Sequence, residues 1–161
     1  MLMYFFVAFA LGLDEEEELY KMINQYRRQN GLYLFQRSFE LDKTAKERLK
    51  FVQENNMDLS KMKSAVNDIK TAVKNNGYND MIKICENLSL MHSFEHESFT
   101  NVFTELKSKS TLMDPMLKDY IDVGIAMIVD KYNQRKYWDV IMARKENQKD
   151  PDSKLITEDS I

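Results

Sequence analysis

Apolar residues recur at helical spacing along most of the chain and read as strands in three short runs. Leu19, Met22, Ile23 and Tyr26 fall at i, i+3, i+4 and i+7, one stripe of a helix predicted over 15–29. Asp14 is placed to cap it, with the glutamates that follow in its positive first turn and Arg27 and Arg28 in its negative last turn. Gly31 suits the left-handed closing position. After a hydrophobic link, Leu32 to Phe39, the residues Leu41, Ala45, Leu49 and Val52 mark a second helix, to about Asn55 and Asn56. Leu59, Met62, Val66, Ile69 and Val73 step by three and four and predict a third, from near Ser60 to Asn75-Asn76-Gly77.

The period then changes. "MIKICENLSLM", 81–91, is short, apolar and partly alternating, as a strand is. Phe99, Val102, Phe103 and Leu106 share one face of a further helix, with Ser93 as N-cap and Pro115 as its breaker. Tyr120 to Asp130 and Lys136 to Arg144 are rich in Ile, Val, Tyr and Trp and predict two strands joined by the hairpin loop "KYNQR". This order predicts an α+β fold, a small, mostly antiparallel sheet flanked by helices.

Composition narrows the function. The 161 residues suit one domain with a core that needs no disulfide, and the single cysteine can form none internally. Only 4 glycines and 2 prolines fit a helix-rich chain. A net charge of -3 without a dense basic cluster argues against nucleic acid as partner. Met1 to Leu13, "MLMYFFVAFALGL", is apolar and uncharged, and shorter than the roughly 20 residues of a membrane-spanning helix. Its length fits the apolar core of a signal peptide, and Ala8-Phe9-Ala10 offers small residues near a cleavage point. The expected organisation is a signal peptide over 1–13, a domain over 14–144 and a polar, flexible tail over 145–161. Such a chain is secreted and has no stable transmembrane anchor. The alternative builds 1–13 into the core of an intracellular helical interaction module.

His92-Ser93-Phe94-Glu95-His96 matches H-x-x-E-H. On a helix, His92 and His96 could share a zinc ion, with Glu95 as the base of a metal-dependent hydrolase. Ser93 as an N-cap puts His92 outside the helix, and no obvious third ligand follows. The main expectation is no more than a weak zinc site at His92 and His96, with a zinc-dependent hydrolase using His92, Glu95 and His96 as the alternative. Cys85 sits in an apolar run, where a thiol titrates too high to be a nucleophile. No Walker loop, dinucleotide fingerprint or serine elbow is present. Asn87-Leu88-Ser89 is a glycosylation sequon on an expected core strand, and is expected to be unused.

Spread over Glu15 to Arg144, several segments together resemble the CAP superfamily (SCP/TAPS) of cysteine-rich secretory, antigen 5 and pathogenesis-related proteins. "LYKMINQYRRQNGLYLF" resembles its opening helix, with an Asn-x-x-Arg-like segment, and "SFELDKTAKERLKF" its second helix. "ICENLS" resembles the Gly-Glu-Asn-Leu strand motif with Cys85 in the glycine position. "YIDVGIAM" and "KYWDVIMA" resemble the two strands that close the sheet. The resemblance implies a three-layer α/β/α sandwich with a cavity, lined here by Glu86 and Asn87. In the family that cavity commonly holds two histidines and two acids, and in some members zinc or another divalent ion. Glu86 matches one acid, and Glu97 is the candidate for the other. No histidine lies near Met57 to Lys61 or near Leu106 to Ser110. Ser108 and Lys109 stand in the second segment, and Phe103 where a tryptophan is usual; these three are candidates to fill the cavity. The expectation is therefore a degenerate, non-enzymatic, secreted CAP-like domain with no cofactor. It binds an extracellular protein or a lipid.

Overall fold

Two helical layers enclose a four-stranded sheet, giving the three-layer α/β/α sandwich. The structure is a computed structural model and describes residues 3–56, 58, 68–91, 98–108, 119–130, 132 and 134–148. Its elements are α1 (Met3–Gln29), β1 (Gln36–Arg37), α2 (Phe39–Glu54), α3 (Ile69–Asn75), β2 (Met81–Met91), α4 (Ser98–Ser108), β3 (Asp122–Val129) and β4 (Lys136–Lys145). The sheet order is β1-β3-β4-β2. β2 and β3 each pair antiparallel with β4, and only the two-residue β1 is parallel to its neighbour.

The helix expected over 15–29 is the second half of a longer one. α1 starts at Met3, so Asp14 lies inside the helix, not at its N-terminus. Its other end is as expected. Gly31 has φ 69°, and Leu32 N and Gly31 N donate to Arg27 O and Arg28 O, both at 3.0 Å. That paired closure is a Schellman motif. Arg27 does more than face the helix dipole. It is buried, its guanidinium lies 3.9 Å from the Phe35 ring centre, and it donates to Tyr33 O at 2.6 Å and Tyr120 O at 3.0 Å. These bonds fasten the link after α1 to the approach of β3.

Ser38 opens α2, its Oγ accepting from Leu41 N. The stripe Leu41, Ala45, Leu49 and Val52 is fully buried, as its spacing requires. α3, capped by Asp68, coincides with the end of the expected third helix; 59–67 lie outside the described residues. Ser93, the expected cap of α4, also lies outside them. The tail expected from Lys145 begins with ordered contacts. Lys145 N donates to the Gln148 side chain at 2.8 Å, and Gln148 Nε2 donates to Asp122 at 2.8 Å.

Strand alternation divides the sheet's side chains between two cores. Val123, Ile125, Trp138, Val140 and Met142 face α1 and α4, with Leu19, Ile23, Val102 and Leu106. Ala126, Tyr137, Ile141 and Ala143 face α2 and α3. Gly124 lies on the α2 side, where a Cβ would stand 2.3 Å from Leu41 C. Glycine there lets α2 sit directly on β3.

Candidate functional site

The α2 face of the sheet carries charged groups inside an apolar core. β2 places Glu86 opposite Ile141 and Leu88 opposite Asp139, so Glu86 and Asp139 are diagonal neighbours on that face. Arg48 reaches them from α2. Its Nε donates to Glu86 Oε1 and its Nη2 to Glu86 Oε2, the latter at 2.7 Å. Both partners are largely buried, with side chains 7% and 13% exposed. Two-pronged guanidinium–carboxylate contacts are among the strong, geometrically specific hydrogen-bonded ion pairs.

Asp139 is fully buried, and no donor faces either carboxyl oxygen. Burial holds its carboxyl well above the usual range, and the neighbouring Glu86 charge adds to this against the opposing pull of Arg48. With its proton on, Asp139 is itself a donor, and Glu86 beside it is the acceptor. A protonated Asp139 beside the Arg48–Glu86 ion pair would leave the cluster electrically neutral. It is acceptable in a low-dielectric core, as two ionised carboxylates with one guanidinium are not.

The residues expected to share a cavity are not all together. β2 sends Glu86 and Asn87 to opposite faces of the sheet, because successive strand residues alternate. Glu86 is held by Arg48. Asn87 is buried and donates to Ser89 Oγ at 2.7 Å, which shields the sequon. Phe103 packs in the α1–α4 core, edge-on to Tyr26 at 5.8 Å and under Lys107 at 4.6 Å. It does not line the α2 face. Ser108 is exposed at the end of α4, its hydroxyl on Glu105 O at 2.9 Å. His92, Glu95, His96, Glu97 and Lys109 lie outside the described residues. Cys85 faces the α1–α4 core, half-buried, and its thiol is pushed up by burial and then by Glu86.

Sequence reasoning missed Arg48 and Asp139, although both leave a signal. Arg48 stands seven residues after Leu41 and three after Ala45, on the apolar stripe of its own helix. Asp139 interrupts "YWDVIMA", an otherwise apolar run. A charge inside an apolar pattern marks a buried, partnered group.

A divalent ion at Glu86 does not fit this arrangement. Both Glu86 oxygens are held by a fixed cation, and burial raises the Asp139 carboxyl well above its usual range, which disfavours the ionised form a metal ligand needs. Among the described residues no three of His, Cys, Asp and Glu converge on a point, whereas zinc needs about three or four ligands. Among the same residues no helix is long and apolar enough to cross a membrane.

No family model matches the sequence, and no curated protein matches it. Solved structures do. An outer surface protein of Borrelia burgdorferi is 15% identical with a TM-score of 0.68, over 83% of this chain and 94% of its own. An extracellular protein containing an SCP domain, from Bacillus anthracis, is 13% identical with a TM-score of 0.68 over 83% of this chain. A cysteine-rich secretory protein of Staphylococcus aureus is 14% identical with a TM-score of 0.63 over 83% of this chain. The chain spans 41% and 40% of the latter two. The layers, strand order and these likenesses agree: the chain has the CAP (SCP) fold.

Proposed function

We propose that the chain is an exported, non-enzymatic binding domain of the CAP type, which holds an extracellular protein or a lipid. In this reading the family's metal-binding histidines are lost, 1–13 is a signal peptide, and 14–144 is the working domain. The observation that carries it is the guanidinium of Arg48 on both oxygens of Glu86. A tethered cation there supplies the positive charge that a carboxylate in this core requires. It exchanges no ligand and activates no water, so the acidic pair serves the scaffold. The descriptions of the similar proteins as outer surface, extracellular and secretory support export. So does the apolar, uncharged stretch before Asp14.

The test is a pair of assays on the purified chain. Casein hydrolysis is measured with and without added zinc, and retention of labelled cholesterol and palmitate is measured after gel filtration. The reading expects no hydrolysis in either condition. Zinc-stimulated cleavage that disappears in a His92→Ala/His96→Ala variant would contradict it. Lipid retention selects the lipid branch; its absence selects a protein ligand.

A further inference from the structure

Two of the four glycines follow an asparagine, at Asn30-Gly31 and Asn76-Gly77. Both steps close a helix, α1 and α3, and both glycines are left-handed, at φ 69° and 91°. Asparagine before glycine is a labile amide, because no Cβ crowds the glycine nitrogen that attacks the side-chain carbonyl carbon. The two steps are alike in sequence, and the fold treats them differently.

At Asn76 the amide is held from another helix. Its Nδ2 donates to Thr44 Oγ1 at 3.1 Å and Glu47 Oε2 at 2.7 Å, both on α2. Gly77 N, the attacking atom, donates to Lys74 O at 3.0 Å. Val73 and Tyr78 on either side are 0% and 1% exposed, and Tyr78 OH donates to Asp122 at 2.7 Å. Freeing Asn76 therefore requires α3 to lift from α2. At Asn30 the restraints are local. Its Nδ2 donates to Tyr26 O at 2.8 Å and Gly31 N to Arg28 O at 3.0 Å, both within the last turn of α1. Arg28, Gln29, Asn30 and Gly31 are all exposed, and the space where a Gly31 Cβ would stand is open. Fraying of that one turn, ordinary at a helix end, releases the amide and its nucleophile together.

We propose that Asn30 is a site of spontaneous covalent modification, deamidation through a cyclic imide, and that Asn76 is the same chemistry held inert by the fold. Hydroxide takes the proton from Gly31 N, and the nitrogen bonds Asn30 Cγ. The Cγ–Nδ2 bond then breaks, and Nδ2 leaves as ammonia with a proton from water. Water opens the imide at either carbonyl, giving aspartate, or isoaspartate whose main chain runs through Cγ. Nothing is oxidised or reduced; the sum is amide plus water to carboxylate plus ammonium. The new charge falls at the negative end of α1. Isoaspartate also lengthens the main chain between Arg27 O and Leu32 N, whose 3.0 Å bond closes the helix. The link that Arg27 fastens to the approach of β3 is thus the first part of the fold to age.

The full chain is held at pH 7.5, folded or in urea, and sampled over weeks. Tryptic peptides are read by mass spectrometry, and isoaspartate by enzymatic methylation. In the folded chain Asn30 should deamidate at least tenfold faster than Asn76, with isoaspartate among the products. In urea the two rates should become similar. Glu47→Ala removes one restraint from α2 and should raise the Asn76 rate in the folded chain, leaving Asn30 unchanged. Gly31→Ala, measured in urea, should slow Asn30 at least tenfold and leave Asn76 as it was. Asn76 matching or outpacing Asn30 in the folded chain overturns the proposal, as does an Asn30 that reacts only in urea. A difference that persists in urea would belong to the sequence rather than the fold, and overturns it as well. An Asn30 rate in urea that Gly31→Ala leaves unchanged overturns the imide route. These readouts involve neither hydrolysis nor ligand binding, so they stand apart from the proposed function.

Discussion

The guanidinium of Arg48 lies in a two-pronged contact with the carboxylate of Glu86, with the fully buried Asp139 beside them. The two residues come from α2 and β2, 38 positions apart. Their meeting depends on α2 lying flat on the sheet, and that depends on a residue without a side chain, Gly124.

Removing one partner should cost far more than removing both. Arg48→Ala leaves Glu86 as an uncompensated charge next to Asp139, and about 3–5 kcal/mol of stability should be lost. Arg48→Met combined with Glu86→Leu replaces the pair with apolar volume and should recover most of that loss. Urea unfolding of the wild type, Arg48→Met, Glu86→Leu and the double variant measures the coupling. Additive losses would show that the pair is not a unit.

Asp139 gives the fold a pH dependence of definite sign. Its folded pKa is raised, so between the ordinary aspartate value near 3.8 and the folded value the native state binds more protons than the unfolded one. Its contribution is complete below that window and is lost as pH rises through it. Asp139→Asn keeps a neutral polar group and removes the titration. The variant's stability minus the wild type's should therefore increase with pH from about 4 upward. A difference that stays flat from pH 4 to 8 would mean that Asp139 titrates normally.

Gly124→Ala should be among the most damaging small substitutions in the protein. Its Cβ would meet Leu41 C at 2.3 Å, Leu41 Cβ at 2.5 Å and Asp42 N at 2.6 Å. Two of these are backbone atoms of α2, so relief requires moving the helix. A loss of about 3 kcal/mol or more, at the upper end of overpacking costs, is expected in thermal or urea unfolding. Gly31→Ala meets no neighbouring atom and should cost only its left-handed strain, roughly 1 kcal/mol.

Cys85 should react slowly. Burial and the Glu86 charge both raise its thiol, and the thiolate is the reactive form. Iodoacetamide labelling at pH 7.5 should be at least tenfold slower in the folded chain than in urea. Equal rates would place the thiol in open solvent.

Most of the fold was legible because its signals are local and periodic. The strand over 81–91 matches β2 to the residue, and the last two strands differ only at their ends. β1 was missed because two residues carry no period; the edge of β3 and the N-H groups of Gln36 and Ser38 define it. Asp14 looked like a cap because acids follow it, yet the helix runs through it from Met3. The site was less legible than the fold. Glu86 was visible through its motif, but its partners depend on which faces of α2 and β4 meet, a tertiary fact. Expecting Glu86 and Asn87 in one cavity overlooked the alternation of the strand that carries both.

In the proposed reading, the fixed Arg48 guanidinium holds Glu86 in place of a metal ion. Zinc stoichiometry of the purified chain after dialysis, with Glu86→Gln and His92→Ala/His96→Ala alongside, tests it most directly. The account predicts no stoichiometric zinc in the wild type. One zinc per chain, lost on changing Glu86 or the two histidines, would contradict it and make the chain a metal protein.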